Sequence, residues 1–148
     1  MRIYMDVCCL GRPFDDPPSD KIYLETGAIL SIISRCVKNE WVLLSSGTID
    51  YEISRISNIE TLSKVQAIYS VSRERANITK KGEERALFFQ QNGVSTFDSM
   101  HVATAESCNA DVFLTTDSDL LKALKRIDLN IKFANPVIWL MEVKHNER

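Results

Sequence analysis

The sequence predicts an α/β domain built on a mainly parallel sheet, and two observations carry that expectation. Short apolar runs, at Ile3 to Leu10, Trp41 to Leu44 and Asp111 to Thr115, are too short for helices. Longer stretches with apolar residues at helical spacing lie between them, the alternation that joins parallel strands through helices. The chain has 148 residues, 45% of them hydrophobic and 26% charged, which suits a single domain over 1–148 with one sizeable core.

The first run, Ile3-Tyr4-Met5-Asp6-Val7-Cys8-Cys9-Leu10, reads as a buried strand with one carboxylate in its middle. Aspartate is depleted in strands and a parallel strand is covered on both faces, so Asp6 needs a partner that offsets its desolvation. Gly11 to Pro18 is a turn-rich loop, and Ser19 or Asp20 caps a long helix that carries Ile22, Leu24, Ile29, Leu30, Ile32, Ile33 and Val37 and ends near Asn39. Trp41 to Leu44 is the second strand, and after Ser45 to Thr48 comes a helix with Ile49, Glu52, Ile53 and Ile56. Ile59 to Asn92 reads as two helices broken near Asn77-Ile78, with Gly93 as the stop. Ser95 to Cys108 is a helix rich in small residues, Asp111 to Thr115 a strand, Asp117 to Arg126 a helix and Ile131 to Ala134 a last strand. Asn135-Pro136 then supplies the cap and first residue of a final helix over "VIWLMEV".

Composition excludes several functions. The cysteines, Cys8, Cys9, Cys36 and Cys108, form no C-x-x-C pair, and only His101 and His145 are available as imidazoles, so neither a disulfide framework nor a zinc site is expected. On a strand, Cys8 and Cys9 point to opposite faces and suit packed thiols in a reducing compartment. The N-terminal run lacks the basic region and cleavage site of a signal peptide, and no run reaches membrane-spanning length, so a soluble cytoplasmic protein is expected. A net charge of −2 argues against gripping long duplexes by bulk electrostatics. With several acids committed to a cation, the remaining surface is net basic.

In parallel sheets the ligand site lies beyond the carboxyl ends of the strands, at the switch in strand order. Four acids satisfy that filter: Asp6, Glu52, Asp98 and Asp117. Carboxylates gathered there without nitrogen or sulfur ligands suit Mg²⁺ or Mn²⁺. Each also has a structural reading. Asp98 completes a Ser95-x-x-Asp98 capping box, and Thr116 can cap a helix with Asp119 as its box partner, which would leave Asp117 free. Glu52, like nearby Asp50, fits a solvated helix face. His101 lies one turn after Asp98, where it either packs in the core or orients that carboxylate.

Together the segments "YMDVCCLGRPFDD", "TIDYEISRI" and "TFDSMHVATAESCNADVFLTTDSDLL" resemble the PIN domain, the family that includes VapC-type toxin ribonucleases. The resemblance spans nearly the whole chain. It implies a three-layer α/β fold with a central, mainly parallel sheet flanked by helices, and a metal-dependent endoribonuclease. Residue by residue it implies Asp6, Glu52, Asp98 and Asp117 as catalytic acids, and Asp6, Asp98, Asp117 and Asp119 as ligands of Mg²⁺ or Mn²⁺. Thr115 or Thr116 matches the accompanying hydroxyl, and Thr116 and His101 are expected to support the acids. Arg12, Arg55 and Lys122 are expected to draw in the RNA substrate. Toxin members commonly pair with a small antitoxin and often form homodimers. The helix from Asp20 and the stretch Val137 to Met141 are the surfaces to which such contacts, or ordinary core packing, would fall. One position departs from the pattern: many members have Asn or Ser two residues after the first acid, and here it is Cys8. The alternative is a catalytically silent PIN-like module that binds RNA or protein.

Overall fold

The computed structural model describes residues 1–16 and 19–147, so the Pro17-Pro18 end of the predicted loop lies outside the described residues. These residues form five strands, β1 (Arg2–Met5), β2 (Val42–Ser45), β3 (Glu74–Arg75), β4 (Val112–Leu114) and β5 (Lys132–Ala134). The helices are α1 (Val7–Gly11), α2 (Asp20–Val37), α3 (Gly47–Ser54), α4 (Ile59–Tyr69), α5 (Lys80–Gln91), α6 (Thr96–Ser107), α7 (Ser118–Leu124) and α8 (Pro136–Asn146), with a 3-10 turn at Arg12–Phe14.

The strands form one parallel sheet in the order β3-β2-β1-β4-β5, flanked by helices in three layers. From β1 the chain builds outward through β2 to β3, then returns to the other side of β1 for β4 and β5. The switch in strand order therefore falls between β1 and β4. Met5 pairs with Leu114 in register, and the Asp6 N–H donates to the Leu114 carbonyl at 3.2 Å, so Asp6 and Thr115 emerge side by side at that switch. Ile3, Tyr4, Met5, Leu43, Leu44, Val112, Phe113 and Leu114 are buried in the sheet core, as strands covered on both faces should be.

Local chemistry sets most boundaries. Ser19 caps α2 by accepting from the Ile22 N–H at 3.2 Å, and beyond that helix Asn39 takes a left-handed φ of 65°. Gly93, at φ 92°, ends the α5 segment where it was expected. Asn135 caps α8 through the Val137 N–H at 2.8 Å, with Pro136 in the first turn.

Two expectations are corrected. The first strand stops at Met5, and Val7 to Gly11 is a short helix capped by Asp6, so Asp6 ends a strand rather than interrupting one. Cys8 and Cys9 accordingly differ in exposure through helical, not strand, geometry: Cys8 is exposed and Cys9 buried. The region between α4 and α5, read only as a helix break near Asn77-Ile78, also holds the exposed two-residue edge strand β3. No helix among the described residues is long and apolar enough to cross a membrane.

Helices α5 and α6 pack closely because Gly82 has no side chain. A Cβ there would lie 2.1 Å from Ser107 Oγ and 2.9 Å from Ile78 Cγ1. Ser107 Oγ cannot yield freely, since it donates to the Ala103 carbonyl at 2.8 Å and accepts from the Thr79 N–H at 3.2 Å. Gly82→Ala is expected to lower stability in urea titration by about 1–3 kcal/mol, overriding the helix propensity it gains. A midpoint equal to or above that of the wild type would show that the two helices can move apart.

Candidate functional site

The sheet switch point carries the acids. Asp6, 2% exposed, caps α1, and its Oδ1 accepts from the Cys9 N–H at 3.1 Å. Its Oδ2 is buried and has no hydrogen-bond partner, alone in that respect among the described side chains. Burial pushes the Asp6 carboxyl up to about 6. The Thr115 hydroxyl, the Cys9 N–H and His101 oppose that rise, while the charge of Asp98 adds to it. Thr115 thus acts on Asp6 without forming a well-shaped hydrogen bond to Oδ2.

Asp98 stands half-buried in the first turn of α6. Ser95 caps that helix by accepting from the Asp98 N–H at 3.3 Å. Burial raises the Asp98 carboxyl above its ordinary value; Ser95 and His101 lower it, and Asp117 and Glu52 raise it further. The structural and chemical readings of Asp98 therefore coexist: its backbone serves the cap, and its carboxylate sits in the field of the other acids.

Asp117 corrects a prediction. Thr116 does not cap α7; Asp117 does, with Oδ1 accepting from the Asp119 and Leu120 N–H groups at 3.0 and 3.1 Å. Thr115 Oγ1 accepts from the Asp117 N–H at 3.1 Å, so Thr115 is the hydroxyl that contacts the Asp117 backbone. Thr116 is buried and lines a groove of about 350 Å³ with Val7, Cys8, Gly11, Arg12, Asp15 and Asp117. Asp119 is exposed on the first turn of α7.

Glu52 reaches the site through an interaction the sequence did not reveal. His101, 1% exposed, bonds Glu52 Oε1 through Nε2 and the Tyr4 hydroxyl through Nδ1 at 2.6 Å. The Tyr4 hydroxyl also meets Ser46 Oγ at 2.8 Å. Glu52 as acceptor requires a proton on Nε2, so in the neutral ring Nδ1 accepts from Tyr4. Burial keeps the Tyr4 phenol far above its ordinary pKa and thus protonated. His101 therefore holds Glu52; the expected contact that orients Asp98 is replaced by a charge effect at longer range. Tyr4 and Ser46 carried no sequence signal, because a buried tyrosine on a strand reads as core.

Cys8 marks where the acids converge. Partial burial of its thiol comes first, then the negative charges of Asp6, Asp98, Asp117 and Glu52, and together they push it up to about 12. It remains a neutral thiol at physiological pH.

Among the described residues, no three Asp, Glu, His or Cys side chains stand together in a grouping that can enclose a metal ion. Asp6 and Asp117 each turn one oxygen to a helix N-terminus, and Glu52 turns to His101. The donor set nonetheless suits a hard cation. It is all carboxylate, the charge of Asp98 raises the Asp6 carboxyl and those of Asp117 and Glu52 raise Asp98, and Asp6 Oδ2 is a buried acceptor without a hydrogen-bond partner.

The predicted basic residues are only partly free. Arg12 Nε donates to Glu25 Oε1 at 2.8 Å and its Nη1 to Asp15 Oδ2 at 3.0 Å, so it is committed to ion pairs. Arg55 Nη1 donates to the Tyr51 hydroxyl at 2.9 Å. Lys122 lies in the last turn of α7.

No family model matches the sequence, and no curated protein matches it. Solved structures do. A chain in the structure of VapBC2 from Rickettsia felis bound to a DNA fragment from their promoter superposes with a TM-score of 0.60 at 18% identity, covering 91% of this chain and 98% of that one. PAE2754 from Pyrobaculum aerophilum superposes with a TM-score of 0.57 at 14% identity, covering 98% and 99%. At these identities the likeness is one of fold, and it bears out the three-layer PIN-like architecture.

Proposed function

We propose that this PIN-like chain is a metal-dependent endoribonuclease that hydrolyses RNA phosphodiester bonds. The observation that carries the proposal is the unpartnered, buried Oδ2 of Asp6 at the sheet switch point, in the field of a second half-buried carboxylate, Asp98. A purely structural cap needs neither.

Asp6, Asp98 and Asp117 would hold Mg²⁺ or Mn²⁺, with Asp119 beside them at the outer edge. Such an ion supplies a water of lowered pKa and neutralises charge on the leaving oxygen. The chain's own residues do the rest. Thr115 fixes the Asp117 backbone, the Asp6 and Asp117 caps hold those carboxylates at the ends of α1 and α7, and His101 holds Glu52 at the rim. No side-chain nucleophile is required, and among the described residues none is arranged beside a base.

The apolar groove of about 630 Å³ between α2 and α8, lined by Tyr23, Leu24, Leu30, Val137, Leu140 and Met141 among others, supports the expected protein contacts. It is the surface on which we place a small antitoxin or a second copy. The relative named VapBC2, solved with promoter DNA, supports a toxin-antitoxin setting for this chain.

The test is cleavage of mixed RNA in Mg²⁺ or Mn²⁺ by the wild type, Asp6→Asn and Asp98→Asn, followed on denaturing gels. Loss of one transition-state contact of this kind costs about 10²–10³ in rate, so both variants are expected to fall to background. RNA binding without cutting by all three proteins would overturn the nuclease and leave the binding module.

A further inference from the structure

On the helices that carry Glu52 and Asp98, two exposed aromatic rings lie against each other. Tyr51 and Phe97 are 48% and 41% exposed, with ring centroids 5.6 Å apart and planes inclined by 26°. Tyr51 precedes Glu52 on α3 and Phe97 precedes Asp98 on α6, so the stacked pair bridges the helices that carry two of the acids. Arg55 sits over the Tyr51 ring at 5.7 Å and donates to its hydroxyl, which restrains the ring and places a cation beside it.

We infer that Tyr51 and Phe97 form a stacking platform for an unpaired base of single-stranded RNA, with Arg55 facing the neighbouring phosphate. The inference rests on the nuclease reading for its substrate and adds the means of selecting it. Both rings leave aromatic surface open to solvent. A nucleobase offers a flat π-face of matching size, and a base paired in a duplex does not. Asp50, Ser54, Ser95 and Thr96, which neighbour the pair in sequence, are exposed and polar, unlike the apolar lining of the α2–α8 groove, so a protein partner is better served there. The platform also gives Arg55 a role that its expected phosphate contact alone did not explain: it is already docked on Tyr51.

The test measures binding of a short labelled single-stranded RNA by fluorescence anisotropy, with Ca²⁺ in place of Mg²⁺ so that binding is read apart from cutting. Controls are a stable RNA duplex and the same single strand carrying abasic sugars. Tyr51→Ala and Phe97→Ala are each expected to weaken single-strand binding about 5- to 100-fold, and Tyr51→Trp to preserve it. The abasic strand should bind the wild type as weakly as the ordinary strand binds the alanine variants. Both residues are exposed, so the variants are expected to fold, and circular dichroism checks that. Wild-type affinity in both alanine variants, or equal binding of ordinary and abasic strands, overturns the platform. So does loss of self-association in sedimentation with RNA binding intact, which would make the pair a protein contact. The two readings fail separately: cutting by the wild type with alanine variants unchanged removes the platform and keeps the nuclease. Base-dependent binding without any cutting does the reverse.

Discussion

Asp6→Asn is expected to make the metal-free protein more stable at neutral pH even as it abolishes cleavage. The native Asp6 carboxyl titrates at about 6 against an ordinary 3.8, mainly because of burial, so the folded state holds the proton more tightly than the unfolded chain. As pH rises through this window the unfolded state ionises first, and stability is lost between roughly pH 4 and 6. The full loss is about 3 kcal/mol as an upper figure, from a shift of roughly two units. An asparagine does not ionise and escapes that loss, while its amide oxygen can still accept from the Cys9 N–H. Urea titrations in chelator should therefore show the wild type and the variant converging towards pH 4 and separating by pH 7. Parallel stability curves across that range would show that the Asp6 charge is compensated within the chain. Saturating Mg²⁺ or Mn²⁺ should then raise the melting temperature of the wild type and not of the variant, since only the former gains a bound cation.

The second large effect lies away from the acids. Glu25 on α2 is 1% exposed, and both its oxygens are engaged: Oε1 with Arg12 Nε at 2.8 Å and Oε2 with Asn135 Nδ2 at 2.6 Å. One carboxylate thus ties the turn after α1 and the cap of α8 to the longest helix. Glu25→Ala leaves an arginine and an amide without their acceptor, and removing one member of a buried pair costs about 3–5 kcal/mol. Arg12 retains Asp15 and some solvent, so a loss of about 3 kcal/mol is expected in the urea midpoint. Asp15 is exposed, and Asp15→Ala should cost well under 1 kcal/mol. Equal effects of the two substitutions would refute this division. Because Arg12 lines the groove with Asp117, the Glu25 variant also tests whether that guanidinium must be held to keep the site in shape.

Elements with a strong local signal were legible before the structure. The caps Ser19, Ser95 and Asn135 announce helices because each supplies an acceptor to a free N–H within three residues. The buried strand "VFL" reads plainly because a short apolar run bounded by polar residues has few other uses. β3 did not, because it is two exposed charged residues held by Leu44 and Ser45 of β2, with no pattern of its own. α1 was missed for a related reason. Aspartate is as good a helix cap as it is a poor strand residue, and only the folded chain shows its Oδ1 accepting from the Cys9 N–H at 3.1 Å, which starts α1 and leaves the strand ending at Met5.

The amino-acid sequence alone determined which residues are chemically capable. It placed Asp6 in the first strand, Glu52 on the helix after the second, Asp98 at a helix start and Asp117 after a strand, spoke against thiol and imidazole metal sites, and pointed to a parallel sheet. Those inferences depend on residue type and spacing, which are local. The tertiary structure decided what each group does. Strand order brings Asp6 beside Thr115, although they lie far apart in the chain, and buries one carboxylate oxygen without a hydrogen-bond partner. Folding of α6 against α3 sets His101 on Glu52 instead of Asp98 and turns Tyr51 and Phe97 into a pair. Burial, shared fields and hydrogen bonds between distant segments come into being only when the chain closes on itself, and these convert four scattered acids into a candidate site.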